Sequence, residues 1–319
     1  MKNLRYICVQ PRLVYYAWQV EVMINNFIKN GISYEDIDIL VACNPNDNTS
    51  SEESIEAWNR LIEYYKDVRF FFYPDTREYP VNYVSSIRPN ILKQHFQEYP
   101  ELSKEAIFYH DCDIIFTKKV DFRQFLHDDI WYLSDTNNYI NYNYIKFKGE
   151  DIYLKMCEII GIDPIIPKLM NSNSGGAQYI LKNIDHTFWE KVEKDCEQLY
   201  SQITELNNIK KKENESYHEL QIWCADMWAV LWNGWLKGNE TKVVKELDFC
   251  WATDVEERFN ASTIFHNAGV TCSCGGKFFK ANYIDSVPYN LNLRIKEGTA
   301  SYRYYQEIQE VEKKSPLAI

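Results

Sequence analysis

Short apolar runs alternate with helix-patterned segments through the N-terminal half of the chain. Leu4 to Val9 reads as a first strand, and Tyr15 to Lys29 as a helix with apolar spacing at Val20, Met23, Ile24 and Phe27. Ile37 to Cys43 reads as a second strand, ended by the turn-rich Asn44 to Asn48. Ser50 and Glu53 have capping-box spacing for a helix reaching about Tyr65. Val68 to Tyr73 is a third strand. Pro89 suits the first turn of a helix through Ile91, Leu92 and Phe96, where its missing N–H costs nothing. Ala106 to His110 is a fourth strand. Such alternation implies an α/β fold, a mainly parallel sheet with helices on both faces.

The second half is more mixed. Asp151 to Ile160 has helical spacing, and Gln178 to Leu181 is a short strand. Thr187 with Glu190 would cap a helix running towards Leu206, and the polar run Lys210 to Glu215 reads as an exposed loop. Tyr217 to Leu236 reads as a strongly apolar helix. From about Tyr302 the chain reads as a charged tail, so residues 301–319 are set apart from the body of the protein.

Charge narrows the function classes. With a formal net charge of -11 over 319 residues, the chain lacks the basic footprint of a general DNA or RNA binder. Such binding is disfavoured, although a local basic groove is compatible with it. An anionic ligand would need a bound cation to approach this surface. No apolar stretch reaches the roughly 20 residues of a membrane helix, and Leu4 to Val9, interrupted by Arg5, makes no signal peptide. The 9 cysteines, odd in number and mostly inside apolar runs, suggest free thiols in a reducing, cytoplasmic setting.

The densest chemical signal lies at the end of the fourth strand, where Asp111 and Asp113 flank Cys112 within an otherwise apolar run from Ile107 to Phe116. In extended backbone, residues i and i+2 share a face, so the two carboxylates would converge. Two buried like charges are costly unless a cation joins them. Oxygen ligands suit Mg²⁺ or Mn²⁺, which also bridge diphosphates, and parallel sheets bind ligands beyond the carboxyl ends of their strands. The alternative is an exposed Asp pair capping the next turn.

Asp111-Cys112-Asp113 after an apolar strand resembles the metal motif of the GT-A glycosyltransferase fold. Asn171 to Tyr179, with Ser174, Gly175 and Gly176, resembles the Asn-Ser-Gly segment of glycogenin-like transferases and of plant peptidyl-serine galactosyl- and hydroxyproline arabinosyltransferases. Phe265-His266-Asn267-Ala268-Gly269 resembles the C-terminal H-x-x-G whose His completes the metal shell. The order of the three segments matches too. The resemblance implies a single GT-A-like catalytic domain over residues 1–300, with a nucleotide-binding half (1–135) and an acceptor-binding half (136–300). It further implies a nucleotide diphosphate sugar donor, a UDP-sugar first, and an acceptor hydroxyl on a glycan, a protein or a modified nucleobase. Asp111, Asp113 and His266 would then hold the ion, with a mixed O,N shell leaning to Mn²⁺ over Mg²⁺.

Other positions follow with less specific signals. Glycines at 175 and 176 would let backbone N–H groups approach a sugar, or simply form a tight turn. Lys277 matches the family's phosphate-binding Lys, although the gap after H-x-x-G is longer here and no Pro-Trp follows. Asp226 stands alone among Ile222, Trp223, Ala229 and Val230 on a helix, as a catalytic base or acceptor-holding group, or as the partner of an Arg or Tyr. Arg88 would set a guanidinium against the diphosphate at a helix start, and Gln10 and Arg12 end the first strand, where the GT-A resemblance implies the seat of the base and ribose. Two rival functions stand beside the transferase. One is a sugar nucleotidyltransferase, whose usual Gly-rich N-terminal loop is missing from Gln10 to Ala17. The other is a non-catalytic nucleotide-sugar-binding protein on a decayed transferase fold.

Overall fold

A computed structural model describes residues 3–43, 51–78 and 80–318. The strands are β1 (Leu4–Pro11), β2 (Ile37–Cys43), β3 (Arg69–Pro74), β4 (Ala106–Tyr109), β5 (Ile114–Phe116), β6 (Trp131–Leu133), β7 (Tyr179–Lys182), β8 (Thr241–Val243), β9 (Phe249–Trp251) and β10 (Ile264–His266). The helices begin with α1 (Val14–Lys29), α2 (Glu52–Tyr64), α3 (Ile87–Glu98), α4 (Asn137–Ile140), α5 (Tyr142–Lys148) and α6 (Glu150–Ile160). They continue with α7 (Ile165–Leu169), α8 (His186–Glu213), α9 (Ala225–Leu236), α10 (Glu256–Ala261) and α11 (Ala300–Glu312). The chain is α/β with a seven-stranded, mainly parallel sheet and a separate three-stranded one.

The chain divides into two discontinuous compact units. One comprises residues 1–3, 75–108 and 125–244, and the other residues 4–74, 109–124 and 245–319. The chain therefore crosses between the units at several points.

In the second unit, β1, β2 and β3 run parallel, with Ile7 opposite Asp38 and Asp38 opposite Arg69. Asp38 is fully buried and is held by Arg5 Nη2 at 2.7 Å and Arg69 Nε at 2.6 Å, one guanidinium from each flanking strand. A one-residue slip would strand this carboxylate, so the ion pairs help to fix register. Helix α1 buries Ala17, Val20, Val22, Met23, Ile24 and Phe27, and its Asn26 side chain exchanges hydrogen bonds with both backbone groups of Phe116 at the end of β5. The small sheet has the order β5-β10-β9, with β10 antiparallel to β5 and parallel to β9.

In the first unit, α8 carries Phe188, Trp189, Val192, Cys196, Leu199 and Ile203 on its buried face, and β6 pairs antiparallel with β7 and parallel with β8. Lys182 is completely buried, with Nζ 2.7 Å from Asp128 Oδ1 and over the Tyr132 ring.

Several sequence expectations change. The capping-box Ser50 and the turn from Asn44 to Asn48 lie outside the described residues; the observed cap of α2 is Ser51, whose Oγ accepts from Ser54 N at 3.2 Å. Helix α8 is capped by Asp185, which accepts from Phe188 N, so Thr187 sits inside the first turn. That helix runs on to Glu213 through the lysines expected in a loop, which lie in its last turn, where cations suit the helix C-terminus. Residues 217–221 are not helical, and α9 starts only at Ala225. The expected charged tail is helix α11, which buries Tyr304, Tyr305, Ile308 and Val311 along one face and is capped by Thr299. Its charges occupy the opposite face, and they masked the apolar spacing.

Candidate metal centre

The centre belongs to one unit, and the β5-β10 pairing builds it. Asp111, Cys112 and Asp113 lie in the turn between β4 and β5, not in extended strand. The two carboxylates converge because the turn brings them round, and the alternation of a strand plays no part. Strand β10 then aligns His266 opposite Ile114, the residue after Asp113. The next residue, Asn267, donates its backbone N–H to Asp113 O at 2.9 Å. Gly269 adopts φ +86, a left-handed turn that glycine makes without strain just after the histidine.

His266 Nε2 consequently faces both acids, 3.5 Å from Asp111 Oδ2 and 3.4 Å from Asp113 Oδ1. One ligand atom from each of the three residues lies within 4.8 Å of the others. The imidazole is stacked on Trp251, with centroids 5.2 Å apart at 27°, so its plane is held. Asp113 is 6% and His266 7% exposed, while Asp111 is more open. Two carboxylate oxygens and an imidazole nitrogen on one spot form a donor set that fits a hard to borderline divalent ion.

The electrostatics were only partly legible in the sequence. Lys280, two residues beyond Phe278, places its ammonium on Asp113 Oδ2 in a short ion pair. Burial alone would raise the Asp113 carboxyl, but the Lys280 and His266 charges outweigh it and hold the group well below the usual carboxylate range. Burial likewise opposes the Lys280 charge, and Asp113 more than offsets it. Lys277, matched by resemblance to the family's phosphate-binding Lys, is partly exposed, and the lysine on Asp113 is Lys280. His110 is pushed down to about 4 by burial, against the pull of Asp111 and Asp113, so it is neutral near pH 7. Its Nδ1 lies 2.8 Å from Asp111 O and can donate to that carbonyl.

The same unit holds Gln10 and Arg12. Gln10 is the penultimate residue of β1, 1% exposed, and neither of its amide atoms has a hydrogen-bond partner among the described residues. Arg12 N donates to Ala42 O at 2.9 Å, while its Nε is also unpartnered among the described residues.

The remaining sequence candidates lie in the other unit. Asp226 is 7% exposed, accepts from Tyr83 Oη at 2.6 Å through Oδ1, and pairs through Oδ2 with Arg88 Nη1 at 3.1 Å. Arg88 thus serves this carboxylate. Beside it, Trp223 is 56% exposed and stacks on Tyr139 with centroids 6.1 Å apart. Ser174 is buried. Gly176 donates its N–H to Ser134 O at 3.0 Å, which extends the β6-β7 pairing. A Cβ at Gly175 would meet Ser134 O at 2.5 Å, and one at Gly176 would meet Tyr179 Oη at 2.4 Å. Both glycines therefore have a packing reason in the structure, independent of any sugar.

Of the nine cysteines, Cys272 and Cys274, which lie outside the apolar runs, form a disulfide. The other seven are free, and all but Cys43 are buried.

No protein-family model matches the chain, and no curated protein matches it. Solved structures similar to it include the bifunctional glycosyltransferase WbbM, at 8% identity and a TM-score of 0.45; they cover 85% of this chain but only 46% of WbbM. The galactosyltransferase LgtC, in complex with donor and acceptor sugar analogues, gives 12% identity and a TM-score of 0.42 over 95% of both chains. Mouse xyloside xylosyltransferase 1 gives 9% identity and a TM-score of 0.39, covering 83% of this chain and 97% of its own.

Proposed function

We propose that the chain is a metal-dependent glycosyltransferase that moves a sugar from a nucleotide diphosphate sugar, a UDP-sugar first, to an acceptor hydroxyl. The observation that carries this reading is the convergence of Asp111, Asp113 and His266. Two of them lie in one turn, and the third is brought from far along the chain by the β5-β10 pairing. Two of the three resembling segments, Asp111–Asp113 and Phe265–Gly269, supply these residues.

Asp111, Asp113 and His266 would hold Mn²⁺ or Mg²⁺, which would supply positive charge for the leaving diphosphate. Gln10 and Arg12 take the base and ribose, their unmatched polar atoms being the kind a ligand satisfies. Trp251 fixes the His266 ring, and His110 steadies the Asp111 backbone. Transfer breaks the bond from the anomeric carbon to the diphosphate oxygen and forms one to the acceptor oxygen, whose proton is released. Asp226 is the acceptor-side residue. Its oxygens accept from Tyr83 and Arg88, and the open Trp223 face beside it offers a surface for a sugar ring. Seven free thiols favour a cytoplasmic setting.

The test is a donor screen. UDP-sugars with Mn²⁺ should raise the melting temperature and be slowly hydrolysed, and Asp113→Ala should nearly abolish turnover. Wild-type activity in both Asp111→Ala and Asp113→Ala would remove the metal from the account. Donor binding without turnover would favour the decayed, non-catalytic protein.

A further inference from the structure

Cys272 and Cys274 have no part in the proposed transfer, and they are joined to each other on an open loop. Residues 271–275 are all exposed. Among the described residues, 270–275 take part in no hydrogen bond or ion pair, so the disulfide is their one cross-link. The flanks of the loop are tied down. Asn267 N donates to Asp113 O at 2.9 Å, Lys296 N to Gly276 O at 2.7 Å, and Phe278 N to Ser301 Oγ at 2.6 Å. Opening the disulfide therefore leaves the body of this unit in place.

A structural role accounts poorly for this bond. A cross-link between residues two apart closes a very short loop and takes little freedom from the unfolded chain. Exposure makes both sulfurs reachable, and reachable disulfides are the labile ones. The other cysteines contrast with the pair. All but Cys43 are buried, and burial pushes the Cys157 thiol up to about 11 and that of Cys250 up to about 12. Such thiols stay protonated and unreactive near pH 7. Beside the pair, Lys277 has no ion pair among the described residues, and no acidic residue lies within positions 267–280. A nearby cation favours the thiolate that must leave when the bond opens.

We propose that Cys272 and Cys274 form a site of reversible thiol–disulfide exchange with a soluble thiol of the glutathione class. The incoming thiolate attacks one sulfur, the S–S bond breaks, and the other cysteine leaves as a thiolate that takes up a proton. A second thiol then attacks the mixed disulfide at its own kind of sulfur and releases the first cysteine. The pair gains two electrons and two protons, and two thiols are oxidised to one disulfide. The inference is independent of the metal-centre reading.

The experiment equilibrates the folded protein in glutathione buffers from fully reduced to fully oxidised, then alkylates it and maps the labelled cysteines by peptide mass spectrometry. Cys272 and Cys274 should pass together from disulfide to two labelled thiols within that range. The six buried cysteines should label only in urea, and the urea midpoint should be the same in both redox states. Cys274→Ser, which has lost the second sulfur, should retain glutathione on Cys272 in the oxidised buffer. A disulfide that survives excess reduced glutathione, or a urea midpoint that falls on reduction, would make the bond structural and overturn the proposal. Two free thiols that persist in oxidised glutathione, or a Cys274→Ser variant that takes up none, would overturn it as well.

Discussion

Glu21 gives the most quantitative prediction. It is fully buried in α1, where Oε2 accepts from Tyr289 Oη at 2.8 Å and Ser315 Oγ at 2.7 Å, and Oε1 lies 3.4 Å from Tyr65 Oη. Burial pushes its carboxyl up to about 7, and the three hydroxyls offset this only in part. The folded carboxyl thus keeps its proton to higher pH than the unfolded one. Its contribution to stability is complete below the unfolded value near 4.5 and is lost as pH rises through about 7. At about 1.4 kcal/mol per pH unit, the gap between those values corresponds to about 3 kcal/mol. Glu21→Gln removes the titration while keeping a group that can hydrogen-bond. Urea unfolding of both proteins from pH 5 to pH 8.5 should show the variant gaining about 3 kcal/mol on the wild type as pH rises. Taking the difference between the two proteins cancels the other titrating groups. Parallel stability curves would refute the reasoning.

Three further outcomes follow from the same geometry. Gly175→Ala should destabilise the protein by about 1–3 kcal/mol, because its methyl would meet the Ser134 carbonyl; an unchanged urea midpoint would contradict that packing role. Asp226→Asn should raise the acceptor KM more than the donor KM, and Trp223→Ala should act in the same direction; steady-state kinetics with both substrates varied would separate this from a purely structural role. Lys182→Met should cost less in chemical denaturation than the about 3–5 kcal/mol of a pair buried on both sides, because Asp128 is 38% exposed and regains water; a loss in that full range would contradict this.

The elements that do local work were legible. The strands β1, β2 and β4 stood out because buried strands read as near-continuous apolar runs, and the largely exposed edge strand β3 stood out by its aromatic run. Asp111 and Asp113 stood out because charge is rare in such runs. His266 was found through a resemblance and then placed by strand pairing, a long-range event that no local pattern encodes. Lys280 was missed for the same reason: its meaning depends on a contact with Asp113 more than 160 positions away. The resemblance pointed to Lys277 instead. The turn at Asp111 was misread as strand because its flanks are apolar on both sides. Helix α11 was hidden by its charged face, and the start of α9 by aromatic residues that suit either a helix or an irregular segment.

The central claim is that Asp111, Asp113 and His266 share one divalent ion. Crystals grown with Mn²⁺ and UDP, with data collected at the manganese absorption edge, test it directly. The account predicts one strong anomalous peak bonded to all three side chains at about 2.0–2.3 Å. A peak elsewhere, or none at those residues while UDP is bound, would contradict it.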